Sequence, residues 1–189
     1  MAVPDTITFD HYDATGARAR RDVVSLIHRD AYAERIATGE TFAGDEAFMT
    51  RFDAYIKRDG FDLVIAYDGD EPVGQTWGWP LTPDTRWWDG LEAEPESGFA
   101  VEDGQRTFAL SEIMVRRAWT GRGIARTLHD RLLADRPEKR ATLLVRPDNT
   151  TAYAAYTRWG WRPAARLRPG WPDAPWMDVL ILPLGEPQT

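Results

Sequence analysis

The sequence predicts an α/β fold in which a mixed, mostly antiparallel central sheet is flanked by helices. Three observations carry this expectation. Apolar spacing switches from helical to strand-like near residue 61. Asp68-Gly69-Asp70-Glu71 then separates two strand-like runs as a hairpin turn. Finally, residues 106–146 read as strand, helix, strand, with the crossover length that a parallel pair needs. With 189 residues, 43% of them apolar, the chain has material for one core, and residues 1–189 are read as a single domain.

Taken in order, residues 6–12 fit a first strand. Over residues 16–38, Val23, Val24, Ile27, Tyr32 and Ile36 recur at helical spacing and Gly39 follows as a stop, which predicts one helix. A second helix is expected over 45–58, with Phe48, Phe52, Tyr55 and Ile56 on one face and Gly60 beyond it. Residues 61–67 and 72–80 are the two arms of the hairpin. Residues 81–105 combine Pro and Gly breakers with acids and the pair Trp87-Trp88, which predicts a long loop. Residues 106–116 are the strongest central strand. A glycine turn at Gly121 and Gly123 leads into a helix carrying Ile124, Leu128 and Leu132 at i, i+4, i+8. Residues 141–146 form a short apolar run of the buried-strand type. A helix over 149–159, closed by Gly160, and strands over 161–168 and 176–182 complete the chain.

Composition removes several function classes. Cysteine is absent, so disulfide scaffolds, thiol nucleophiles and thiolate metal sites are excluded. His11, His28 and His129 show no paired ligand spacing, and no metal is expected. A net charge of −7 opposes broad nucleic-acid binding. No apolar run approaches the roughly 18 residues that span a bilayer. The N-terminus lacks the basic-then-apolar order of a secretory signal, so a cytoplasmic protein without membrane partners is expected.

The turn Trp119-Thr120-Gly121-Arg122-Gly123-Ile124-Ala125 is the informative place. It joins a strand to a helix, where early amides lack helical partners and the dipole favours anions. Glycines allow close approach of a phosphate, and Arg122 and Arg126 can add charge. A tight turn with nothing bound fits the same residues. A Walker loop fails, because no Gly-Lys pair exists anywhere in the chain. A dinucleotide fingerprint is weak, because Arg126 stands where its third glycine belongs and the next strand ends in Arg146, not an acid.

With Glu-Ile-Met-Val-Arg-Arg-Ala-Trp-Thr before it, this turn resembles the acetyl-CoA loop of the GNAT N-acetyltransferases, Arg/Gln-x-x-Gly-x-Gly/Ala. Thr120, Gly123 and Ala125 occupy the defining positions, and Thr120 departs from the usual Arg or Gln. A second segment, Val145 to Trp161, resembles the family's other signature: a strand, Asn149, then Ala152, then Tyr156, then a Gly-aromatic pair. On spacing alone, Ala152, Ala155, Tyr156 and Trp159 form a buried helix face and Asn149 an N-cap.

The resemblance implies the GNAT fold, with a parallel strand step at the cofactor cleft. It also implies acetyl-CoA as acyl donor and a primary amine as acceptor. The pyrophosphate would lie on Thr120, Gly121, Arg122, Gly123, Ile124, Ala125 and Arg126. The pantetheine arm would lie along the backbone of Ile113, Met114 and Val115, with Asn149 and Ala152 beside it. Tyr156 would protonate the departing thiolate, and Glu112 is the candidate base facing the acceptor, or else a strand-end residue satisfying neighbouring backbone. Trp77 and Trp79 alternate around Gly78 on one strand face and are candidate walls of an acceptor pocket, or else core aromatics. Acids at Glu92, Glu94, Glu96, Glu102 and Asp103 can attract a cationic acceptor or be merely solvated. A small-molecule amine is the expected partner, and a homodimer is among the assemblies allowed. Two alternatives stand beside this reading: a non-catalytic acyl-CoA-binding module, and an acetyltransferase of protein N-termini or lysines.

Overall fold

Leu63, Val64, Ile65 and Ala66 are sealed from solvent on both strand faces, as an unbroken apolar run in a covered strand requires. The computed structural model describes residues 3–171 and 173–185. In chain order the elements are β1 (Ile7–Tyr12), α1 (Ala14–Ala19), α2 (Arg21–Ala31), α3 (Ala33–Ala37), α4 (Asp45–Tyr55), β2 (Asp62–Asp68), β3 (Glu71–Pro80), β4 (Thr107–Val115), α5 (Ile124–Leu133), β5 (Arg140–Val145), α6 (Thr150–Arg158), β6 (Arg162–Leu167) and β7 (Met177–Pro183), with 3-10 turns at Thr41–Ala43 and Arg117–Trp119. One sheet has the strand order β1-β2-β3-β4-β5-β7-β6. The pairs β1–β2, β2–β3, β5–β7 and β6–β7 are antiparallel and β4–β5 is parallel. This is the mixed sheet that the sequence predicts. Among the described residues no helix is long and apolar enough to cross a membrane.

Two compact units make up the chain. The first holds the residues up to Trp79 together with Glu112–Ala134. Neighbouring residues of β3 show its two faces. Gln75 Nε2 donates to the Val24 carbonyl of α2 at 3.1 Å, whereas a Cβ on Gly74 would meet Leu128 of α5 at 3.1 Å. Val24, Ile27, Phe48 and Phe52 fill the α2–α4 side.

The single helix expected over 16–38 is three helices. The backbone leaves helical geometry at Arg20 (φ −109°, ψ 19°) and at Tyr32 (φ −104°, ψ 14°). Packing accounts for both breaks. The Arg20 guanidinium lies 3.6 Å over the Tyr12 ring. His28 stacks on Tyr32 at 5.1 Å and on Phe48 at 3.7 Å, and its Nδ1 lies 3.1 Å from Asp45 Oδ1. Burial pushes the His28 imidazole pKa down, as its position between aromatic rings requires.

The second unit holds Pro80–Ser111 and the residues from Asp135 on. Its ladders run Arg140↔Pro183 to Val145↔Asp178 and Arg162↔Ile181 to Leu167↔Met177. Residues 81–105 form a loop with one isolated bridge, Leu91↔Leu167. Glu102 corrects the reading of this loop's acids as solvated. It is 6% exposed, and its Oε1 accepts from Trp88 Nε1 (3.0 Å), Thr107 Oγ1 (2.8 Å) and Arg140 Nη2 (3.3 Å). A buried carboxylate is tolerated only with such partners, so Glu102 pins the loop to β4 and β5.

Candidate active site

Period two along β4 places Glu112 on the same face as Met114. Met114 Sδ lies 3.3 Å from Gln75 Nε2, which fixes that face as the one covered by α2–α4. Opposite, the Glu112 carbonyl accepts from Thr76 Oγ1 at 2.8 Å, so its side chain stands beside the row Gln75, Trp77, Trp79. Burial pushes the Glu112 carboxyl up to about 7 against the opposing pull of Arg51 and Arg35. The residue keeps part of its surface open to solvent. Neighbouring protein therefore removes most of the water around the carboxyl without sealing the residue off. Its charge, followed by burial, pushes the Tyr32 phenol up; for Tyr55 burial leads and Glu112 follows.

Beyond the C-terminal end of β4 the chain passes through the Arg117–Trp119 turn to Gly121 (φ 75°) and Gly123 (φ 79°, ψ −7°). These left-handed values cost little only for glycine. Gly123 is the N-cap of α5 and gives it no side-chain cap. The Thr127 amide bonds back to Gly123 O at 3.1 Å, so the amides of Ile124, Ala125 and Arg126 precede the helical ladder. A Cβ on Gly121 would meet nothing within 4 Å, which leaves room for a ligand to approach the backbone. The turn therefore fits a pyrophosphate. Its side chains are less free than the sequence suggests. Thr120 Oγ1 donates to Arg117 O (2.9 Å), Arg122 Nη2 to Ala118 O (2.9 Å), and Arg126 Nε to Asp130 Oδ2 (2.7 Å). The parallel register of β4 with β5 runs through Thr107, Phe108 and Ala109 only, so Ile113, Met114 and Val115 lie beyond the part of β4 that pairs with β5.

Asn149 does cap α6: its Oδ1 accepts from the Ala152 amide at 3.3 Å. One turn further, Tyr156 is 8% exposed, with its ring centroid 5.7 Å from Trp159 and 6.1 Å from Trp161.

A family model described as the acetyltransferase (GNAT) family matches residues 27–161. The chain belongs to the GNAT acetyltransferase family. No curated protein matches it. An acetyltransferase from Thermus thermophilus is similar in structure at TM-score 0.63 and 17% identity, over 97% of this chain and 100% of that one. A GNAT acetyltransferase from Elizabethkingia anophelis with acetyl-CoA bound is similar at TM-score 0.61 and 15% identity, over 96% and 100%. A spermidine N-acetyltransferase from Vibrio cholerae is similar at TM-score 0.57 and 12% identity, over 95% of each chain. At these identities the structures share the GNAT fold.

Within this GNAT chain the two candidate wall residues have different ring partners. Trp77 is 1% exposed and packs against Phe48 (5.5 Å) and Phe52 (5.2 Å). Trp79 is buried too, at 5% exposed, so both tryptophans are packed against neighbouring rings. Trp79 stacks on Tyr55 at 4.5 Å and reaches the surroundings of Glu112 through that ring. Sequence reasoning missed Tyr32, Arg35, Arg51 and Tyr55, which lie scattered along the segment from α2 to α4. One signal was readable. Arg51 interrupts the apolar face of Phe48, Phe52 and Tyr55, and a cation there invites the question of what it faces. Among the described residues no group of three or more His, Asp or Glu is placed to hold a metal ion.

Proposed function

We propose that this chain transfers the acetyl group of acetyl-CoA to the primary amine of a small molecule by direct attack, without a metal. The observation that carries the reading is Glu112, a carboxyl raised to about 7 by burial while part of the residue stays open to solvent. A base poised there suits catalysis near neutral pH. An alkylamine has a pKa near the roughly 10.4 of lysine and arrives protonated. Glu112 accepts that proton, directly or through water. The neutral nitrogen then attacks the thioester carbonyl that acetyl-CoA supplies. The C–N bond forms and the C–S bond breaks, with its electron pair leaving on sulfur, while the nitrogen sheds its second proton to solvent, from which the proton donor to sulfur is restored.

Tyr156 is assigned as the proton donor to that sulfur. A phenol near 10 and a thiol near 8.5 are matched closely enough for transfer as the charge develops. The backbone of Ile113, Met114 and Val115 would bond the pantetheine amides as an added strand does. Amides from Gly121 to Arg126 would hold the pyrophosphate, with the Thr120 and Arg122 side chains bracing the turn. Asn149 and Ala152 would flank the pantetheine arm. Trp79 and Tyr55 line the acceptor side. That a similar structure is named for spermidine supports a small-molecule acceptor.

The test is release of free thiol from acetyl-CoA with a panel of amines, in EDTA, with the N-acetyl product identified by mass spectrometry. Binding of CoA without thiol release for any amine would overturn transfer in favour of a binding module.

A further inference from the structure

Arg51 sits where a cation is costly. It lies on the apolar face of α4, three residues after Phe48 and four before Tyr55, and burial holds its guanidinium below the usual arginine value. Its guanidinium carbon stands 3.7 Å from the Phe42 ring centroid and 5.9 Å from that of Phe48. Its hydrogen bond runs from Nη2 to the Phe42 carbonyl at 3.0 Å. Among the described residues no carboxylate lies within ion-pair distance of it. Nε and Nη1 have no protein acceptor, yet they are not among the side-chain atoms buried without a partner, so solvent reaches them. Arg35, the other cation acting on Glu112, differs: Glu40 takes its Nε at 3.0 Å and its Nη2 in a fork.

We propose that Arg51 is an anion site for the acceptor: the amine this chain acetylates carries a carboxylate, held by the Arg51 fork while its nitrogen faces Glu112. This rests on the reading of Glu112 as the base that faces the acceptor. Charge balance favours such a ligand. A simple alkylamine would answer Glu112 and leave Arg51 unpaired in a partly desolvated site. A carboxylic acid without an amine would do the reverse. An amino acid answers both: Nη2 has a second N–H besides the one given to Phe42 O, and with Nε or Nη1 on the same edge it forms a fork that suits a carboxylate in geometry as well as charge. Tyr32 and Tyr55 add neutral hydroxyls beside it, because each is held protonated well above neutral pH. The stacked pair Tyr55 and Trp79 offers the apolar side on which an amino-acid side chain can lie.

The experiment is a calorimetric titration of the CoA-saturated protein with matched ligands: phenylalanine, methionine and lysine, each beside its decarboxylated amine and its amide. At least one amino acid should bind about tenfold or more tightly than its decarboxylated amine and its amide, and Arg51→Met should bring the three within about threefold. Arg51→Lys keeps the charge without the fork and should retain part of the preference, which covers a failure of Arg51→Met to fold. Equal binding of all three forms by the wild type, no binding of any, or a preference that survives Arg51→Met would overturn the anion site. The readout needs no turnover. Binding of amino acids without thiol release would refute acetyl transfer and leave the anion site standing. Equal acetylation of the decarboxylated amines would do the opposite.

Discussion

The helices α5 and α6 each follow a sheet strand, and their starts are built in opposite ways. α6 begins on Asn149, whose side chain closes the first turn by accepting from the Ala152 amide. α5 begins on Gly123, which offers no side chain at all and holds a left-handed backbone. A capped helix has used part of its positive end internally. A helix started by glycine keeps that end for something else. The contrast teaches that the two motifs act through different parts of a helix. α5 offers its terminus and α6 its side chains, so substitutions should separate them.

The largest effect is expected on α6. Tyr156→Phe removes a hydroxyl and almost no volume from a residue packed on Trp159 and Trp161. If α6 acts through this side chain, kcat falls roughly 10²- to 10⁴-fold while acetyl-CoA affinity holds. The stability cost is about 1 kcal/mol or less. Wild-type turnover in steady-state kinetics would reduce Tyr156 to a core residue and leave α5 as the only functional helix start.

Gly123→Asp tests the other side. It puts a carboxylate and a strained left-handed residue where a pyrophosphate would sit. CoA affinity should drop about 100-fold by calorimetry, with circular dichroism unchanged, because tenfold corresponds to about 1.4 kcal/mol. Retained affinity would mean that an uncapped glycine start is only a tight turn.

Glu112 lies outside both helix starts and sharpens the comparison by its pH signature. With its carboxyl near 7, kcat/KM should fall about tenfold per pH unit below that value and level off above it. Glu112→Gln should remove the limb. Stability runs the other way. The folded-state pKa is raised above the unfolded 4.5, so the folded chain holds the extra proton between the two values. The contribution is full below about 4.5 and is lost as pH rises through about 7. Glu112→Gln should therefore flatten melting temperature against pH over that window.

Both helix starts were readable in the sequence, because glycine and asparagine declare their backbone roles locally. The strand order around β4 and β5 was readable too, from the crossover length between 116 and 141. What local pattern could not carry was the pairing of distant charges. Glu102 meets Arg140 38 residues away, and without that partner it reads as one more loop acid. Arg51, Tyr55 and Tyr32 gather at Glu112 from positions far upstream in the chain. The breaks at Arg20 and Tyr32 carry no proline or glycine, so only the packing of Tyr12 and His28 reveals them.

The smallest effect separates two jobs that Asn149 can hold at once. Its Oδ1 is spent on the Ala152 amide, while its NH2 group remains a donor able to bond the pantetheine arm. Asn149→Ala loses both and should cost about 1 kcal/mol of stability. Asn149→Asp keeps the cap, since aspartate and asparagine cap about equally well, but deletes the donor. If Asn149 only caps, Asp restores the melting temperature and CoA affinity is unchanged in both variants. If it also binds, Asp restores the melting temperature while affinity stays roughly five- to tenfold weak, as expected for one lost hydrogen bond of about 1 kcal/mol. Thermal melting and calorimetry on the same two proteins decide it. An Asp variant equal to wild type in both would leave α6 with Tyr156 as its only contribution to the site, and α5 as the helix that carries the cofactor.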